Sequence, residues 1–465
     1  MPNATPDPSA RRRRARCAVA GLLLAPLLAS CALLGDDDEP AGPGSSYTPP
    51  PDVVAGLERA LGARARAVAG ADRRAFERGL GRDAGLRREQ LTWFANLRQL
   101  PVAELRYTFD PADLVRDGDD YWVVVEEHLR LDGYDAVPVV RPDRFRFRAR
   151  PNRPERLVLT SVTDEAWERE NDVRPQPWDL GPVEVRSGAG VLGVFDAASL
   201  PASGTLLRSV ERGIDEVSAV VPYDWSRTVV LYALSDPAFL GTIDDVPGGD
   251  PDELDGVAFP VAAAPGEEEL AATRFALHPR MLDKPGAARD RLVRHELTHV
   301  VLGPRDDTVP VWLSEGIAEY VSVSPLPPAV RVVPAAAVAA AEAGFDEMPA
   351  DGTFNGDASD EHYALAWWAC EYLARSYDET VLWTLLDEMG APGADPDRLL
   401  RDRLGLRPGD LAEKAGRLIV TTFGERPPAP PTPIPTPSEM PPLTPVPSPS
   451  QTDGAGETPA PSAGR

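Results

Sequence analysis

Apolar residues recur every three to four positions in three runs near the start of the chain: VVAGLERALGARARAVAG, ADRRAFERGLG and LRREQLTWFANLRQL. This spacing predicts three helices between residues 53 and 100. The period then falls to two in AELRYTF, YWVVVEEHLRL, DRFRFRAR and RLVLTSV. In the third of these, Phe145 and Phe147 alternate with Arg144, Arg146 and Arg148, as in a strand with one buried face. Beyond residue 180, strand patterns at VEVRSGAGVLGVF, TVVLYAL, GVAFPVAA and RFALHP accompany a helical run, LLRSVERGIDEVSAVV. From GAARDRLVRHELTHVVLG onward the pattern is helical almost throughout. The prediction is an α+β chain with two domains, 52–170 and 180–425.

The flanks carry no apolar period. Residues 31–51 are rich in Pro, Gly and Asp and predict a flexible tether, and residues 426–465 form a proline-rich tail too poor in apolar residues to build a core. Helices followed by an antiparallel sheet, the order in 52–170, resemble the ketosteroid-isomerase-like cone fold. That resemblance implies a binding or spacer module. His128, alone on a strand, is assigned no role.

Residues 1–30 read as an address. Arg11 to Arg14 and Arg16 precede the apolar run CAVAGLLLAPLLAS, and small residues lead to Cys31. The sequence LASC resembles a bacterial lipoprotein lipobox, which implies a signal peptide over 1–30, lipidation of Cys31 and a chain held at the outer face of the cell membrane. An uncleaved membrane anchor is the other reading, and Pro26 with Ala29 and Ser30 argues against it. Cys17 would leave with the signal. Only Cys370 would then remain free, so no internal disulfide is expected. Cys370 lies in YALAWWACEYLARSY, where a small core residue is expected.

Net charge narrows the partners. At -25 the chain is a poor match for nucleic acid or an anionic membrane surface. Lys284 and Lys414 are its only lysines, a bias typical of a GC-rich, actinobacterial-type genome.

The candidate chemistry lies in RLVRHELTHVVLG. On a helix ended by Gly303-Pro304, His295 and His299 point the same way one turn apart, a spacing that suits one zinc ion. Glu296 is displaced around the helix, where it is placed to take a proton from a water activated by the metal. A charged helix face without metal is the alternative for this segment taken alone. A catalytic zinc needs a third protein ligand. Metzincin spacing would need Gly and His at 302 and 305, where the chain has Leu302 and Arg305.

The next segment is VPVWLSEGIAEYVSV. HExxH followed by W-L-x-E-G-x-A-E-Y resembles the gluzincin zinc metallopeptidases, over roughly residues 290–380. The resemblance implies a zincin-like fold, a Zn2+ cofactor, Glu315 as third ligand and Glu319 as the acid that orients His295. Gly316 would let the two motif helices approach closely. The His299–Glu315 gap is shorter than in the aminopeptidase branch, so exopeptidase activity is not inferred. An exposed acidic helix face is the alternative for Glu315 and Glu319, and it explains poorly the apolar residues around them. The same resemblance implies a donor for the reacting carbonyl oxygen from a later helix, where DEHYALAWWACEYLARSY offers Tyr363 first and His362 second. A surface pair at a helix start also fits those two residues. His278, after a strand, is read as structural.

The leading expectation is therefore a lipid-anchored, extracytoplasmic zinc peptidase acting on peptide or protein substrates. Its rival is a cell-surface binding lipoprotein that keeps the peptidase fold without cutting.

Overall fold

The computed structural model describes residues 49–150, 153–243, 254–284 and 286–424. Cys31, the segment 1–30, most of 31–51 and the tail 426–465 lie outside the described residues. The N-terminal periodic runs fold as α1 (Pro51–Ala69), α2 (Arg73–Arg78) and α3 (Ala84–Leu97). Asp72 and Asp83 cap α2 and α3 by accepting the Ala75 and Leu86 N–H groups. Five strands follow: β1 (Val102–Thr108), β2 (Val115–Asp117), β3 (Asp120–Leu131), β4 (Val139–Arg150) and β5 (Arg153–Ser161). They form an antiparallel sheet in the order β1-β3-β4-β5, with β2 also paired to β3. Phe145 and Phe147 are buried and Arg144, Arg146 and Arg148 are not, as the two-residue period requires.

Two short helices, α4 (Glu165–Glu170) and α5 (Pro177–Leu180), lead to a second sheet. Its strands are β6 (Glu184–Gly188), β7 (Val191–Phe195), β8 (Val229–Ala233), β9 (Gly256–Ala262) and β10 (Leu270–Leu277), with α6 (Ser203–Ser218) between β7 and β8. The order is β6-β7-β8-β10-β9. β7-β8 and β8-β10 are parallel, and the outer pairs are antiparallel. The rest is helical: α7 (Gly286–Leu302), α8 (Val311–Val323), α9 (Ala335–Ala343), α10 (Ser359–Tyr377), α11 (Thr380–Met389), α12 (Pro396–Leu404) and α13 (Pro408–Phe423). The chain is α+β. Among the described residues, no helix is long and apolar enough to cross a membrane.

The second sheet is the middle layer. Val229, Leu231, Ala233 and Phe275 pack against α6, α7 and the later helices. Val230, Tyr232 and Ala276, on the opposite face, join the core built by α1–α3 and the first sheet. The segments 52–170 and 180–425 thus share a hydrophobic core. Polar contacts fix their register. Asn96 Nδ2 donates to the carbonyls of Trp178 (2.8 Å) and Gly181 (2.7 Å), and Gln99 Nε2 donates to that of Val183 (2.8 Å). Asp135, on the β3–β4 turn, meets Arg274 of β10 at 2.7 Å, and Arg274 also donates to the Tyr232 hydroxyl at 2.7 Å.

Those two charged side chains are 1% and 3% exposed. Removing one partner from so buried a pair strands the other charge. Asp135→Ala is expected to cost about 3–5 kcal/mol in equilibrium urea unfolding. A loss of about 1 kcal/mol or less, the scale of an exposed pair, would overturn the assignment of this pair as the bond between the layers.

Candidate metal centre

Helix α7 presses Val293, Leu297 and Val301 into the core beneath the second sheet. Gly213 of α6 makes the close approach, since a Cβ there would lie 2.8 Å from Leu297 Cδ1. Arg294 points into the same interior. Its Nε donates to the Ser322 carbonyl (2.6 Å) and its Nη1 to Glu216 (2.9 Å), which ties α6, α7 and α8 together. With this face fixed, His295 and His299 project from the opposite side of α7. Gly303, at φ +53°, turns the chain after α7, and α8 returns past the histidines.

Three ligand atoms converge. His295 Nε2 lies 3.2 Å from His299 Nε2 and 3.2 Å from Glu315 Oε2, and His299 Nε2 lies 3.5 Å from Glu315 Oε2. Bonds of about 2.0–2.1 Å in a tetrahedral site would space ligand atoms by roughly 3.3 Å, so the triangle has the size that one such ion requires. Glu315 Oε2 is buried and has no hydrogen bond of good geometry, as fits an oxygen meant for a cation. Among the described residues, these three form the group of side chains able to hold a metal.

The outer nitrogens are held by carboxylates. His295 Nδ1 is 3.2 Å from Glu319 Oε1, at ion-pair distance but off the hydrogen-bond direction. The other Glu319 oxygen binds Arg291, whose guanidinium lies 5.3 Å from the Trp367 ring centre. His299 Nδ1 is 2.5 Å from Asp306 Oδ2, and Asp306 Oδ1 accepts from the Ser314 hydroxyl at 2.6 Å. Asp306 was not singled out from the sequence. Its signal is a carboxylate in the short connector just after the Gly-Pro stop, and the connector reads as a plain loop.

Electrostatics separates the acids. For Glu315, burial raises the pKa, but the charge of His299 and the close approach of both imidazoles hold it well below the usual carboxylate range. Glu319 is opposed in the same way by burial, and His295 and Arg291 bring it down to about 2. Burial works against protonated His295, yet Glu315 and Glu319 lift it to about 9. His299 is raised well above its ordinary value against burial, by Asp306 and Glu315. Glu296 goes the other way: burial lifts it, and the charges of His295 and His299 only partly offset this. The Ala258 backbone of β9 lies beside its carboxylate, and Gly256 leaves it room, since a Cβ there would lie 3.2 Å from Glu296 Oε1.

These groups open into a cleft of about 580 Å³ bounded by β9, α7, α8 and the start of α10. Tyr363 lines it. Its hydroxyl donates to Asn355 Oδ1 at 3.1 Å, and its ring centre is 6.1 Å from that of His295. Burial, then the charges of Glu315, Glu296 and Glu319, raise the phenol well above its ordinary value. His362 instead turns to the Phe354 carbonyl, with Nδ1 at 2.8 Å, and is not among the residues that line the cleft. His278 Nδ1 accepts the Arg280 N–H at 3.1 Å, and His128 Nε2 lies 2.8 Å from Thr108 Oγ1. Cys370 is fully buried. Gly316 does permit a close helix approach, but against α10 rather than α7. A Cβ at 316 would lie 2.5 Å from the Ala366 carbonyl oxygen and 2.9 Å from Cys370 Sγ.

The sequence matches no protein-family model and no curated protein.

Two variants test this geometry. Asp306→Asn is expected to weaken the affinity for a metal probe such as added Zn2+ by about 10- to 100-fold in a chelator competition, because it loosens the ring of His299. Unchanged affinity would remove Asp306 from the centre. Gly316→Ala must push α8 off α10 and is expected to lower stability by about 1–3 kcal/mol despite the better helix propensity of alanine. A neutral or raised melting temperature would contradict that contact.

Proposed function

We propose that the protein is a zinc-dependent peptidase of the gluzincin type on a zincin-like fold. We further propose that it is anchored by lipid at Cys31 on the outer face of the cell membrane. The observation that carries the reading is the triangle of His295, His299 and Glu315 atoms beside a buried Glu296, at the mouth of a cleft that runs along a sheet edge. The donor set suits zinc: two imidazoles and one carboxylate, each imidazole backed by a further carboxylate. When bound, the ion would supply Lewis acidity toward a carbonyl oxygen and lower the pKa of water at the site.

The chain's own residues fill the remaining roles. Glu296, lifted above the usual carboxylate range by burial, is suited to take a proton from the attacking water and pass it to the departing amine. Tyr363 stays protonated among three carboxylates, so its hydroxyl is a donor for the carbonyl oxygen as negative charge develops there. Strand β9 supplies a place for the peptide. It is the last strand of its sheet, and the Ala258 backbone lies beside Glu296. Pro260 shares the parity of Ala258 and has no N–H to pair, as suits an edge strand. The carbonyls of Ala258 and Pro260 therefore face the free edge, where an extended backbone can donate to them.

Elemental analysis of the purified protein should give one zinc per chain, and Glu315→Ala should lose it. Glu296→Gln should keep the zinc and lower cleavage of a peptide library by about 100- to 10,000-fold. Tyr363→Phe should keep the zinc and turn over more slowly. Zinc bound without any cleavage would favour a binding lipoprotein, and no zinc in the unmutated protein would defeat the metal reading.

A further inference from the structure

The cleft at the metal centre is not the only cavity that β9 borders. A second one, of about 430 Å³, lies against the opposite face of the same strand. Phe259, Pro260 and Leu270 line both. Side chains on β9 alternate between the two sides. Ala258 packs with the core on the α7 side, whereas Val257 and Phe259 pack with the core shared with the first sheet. Exposed Pro260 lines both cavities at the strand edge. The outer wall of the second cavity belongs to the N-terminal part of the chain: Val139 to Pro142 of β4 and the segment from Val173 to Pro177. Just beyond β9 this wall closes the edge, because the Val140 N–H donates to the Ala263 carbonyl at 2.8 Å.

A peptide extended along β9 would send successive side chains to opposite faces. One set would enter the cleft at the metal centre, and the other would meet the second cavity. Val261 is three residues from Ala258, roughly 10 Å along the strand, so the second cavity is within reach of residues close to the bond being cut. Its surface is mainly apolar, with Val140, Val173, Ile243, Phe259 and Val261 in the lining. We propose that this cavity is a specificity subsite for an apolar side chain of the substrate, built in part by the N-terminal domain. That domain then helps to choose the peptide. The inference rests on the peptidase reading, whereas the position and chemistry of the cavity do not.

The test fills the cavity. Full-length zinc-loaded protein and its Val173→Phe and Val140→Phe variants are profiled against a randomised peptide library, after a check that zinc content and melting temperature match. The unmodified protein should favour a large aliphatic or aromatic residue at one position near the cleaved bond. Both variants should lose about tenfold or more in kcat/KM for such peptides, and little for those with Gly or Ala there. An identical profile in two folded variants overturns the proposal. Binding of fluorescein-labelled apolar and polar library fractions to Glu296→Gln, alone and combined with Val173→Phe, separates the two levels. Apolar binding that Val173→Phe abolishes, with no cleavage by the unmodified protein, defeats the peptidase reading and supports the subsite. Absence of any binding overturns the subsite.

Discussion

Six ionisable side chains, His295, Glu296, His299, Asp306, Glu315 and Glu319, share one largely buried volume, and the surrounding fold has to keep every one of them partnered. Burying a carboxylate or an imidazolium without a partner costs several kcal/mol each. The chain meets this demand by geometry. The two histidines stand one turn apart on α7, so a single return of the chain through α8 brings Glu315 and Glu319 against His295. The connector between the helices, turned by Gly303, leaves Asp306 against His299. Arg291, one turn before His295, takes the second oxygen of Glu319. Asp306, Glu315 and Glu319 therefore each face histidine nitrogens.

Such a cluster holds its shape only if the helices that carry it cannot drift. Two close approaches supply that rigidity. Gly213 lets α6 reach α7 at Leu297, and Gly316 sets α8 directly on the backbone of α10 at Ala366. Arg294 adds a polar bolt through α6, α7 and α8. The middle sheet then gives α7 a floor. Its other face is filled by the first sheet and α1–α3, so the N-terminal domain supports the centre without touching it.

The elements were legible where periodicity was clean. The alternation of Phe145 and Phe147 with arginines marks β4, and the apolar stripe with its Gly-Pro stop marks α7 almost to the residue. The pairing of His295 with His299 was legible because an i, i+4 pair shares one helix face, whereas Glu315 was placed beside them only by the resemblance to gluzincin metallopeptidases. Contacts made through loops and across strands were not legible. Asp306 reaches His299 from a connector with no period, and the Ala258 backbone meets Glu296 only once β9 is known to be an edge. The partner of Gly316 was read as α7 because those helices are neighbours in sequence. In the fold, α10 packs more closely on α8 at that residue. The shared core of the two segments also escaped the pattern, since a strand buried on both faces carries no alternation to show which layer covers each face.

Two glutamates near the same pair of imidazoles occupy different positions around them, and that geometry divides their proposed roles. Glu315 faces both Nε2 atoms and is held ionised, which suits a ligand. Glu296 sits around the helix from that triangle, where burial outweighs the histidine charges and the Ala258 backbone of β9 lies beside it. A carboxylate so placed gives up less stability on taking a proton than one locked in ion pairs, which suits a base. Glu296 packs against Gly256 of β9, the edge along which a peptide backbone would lie. The group proposed to move the proton and the strand proposed to hold the substrate thus lie side by side, and a side chain at Gly256 would press on both.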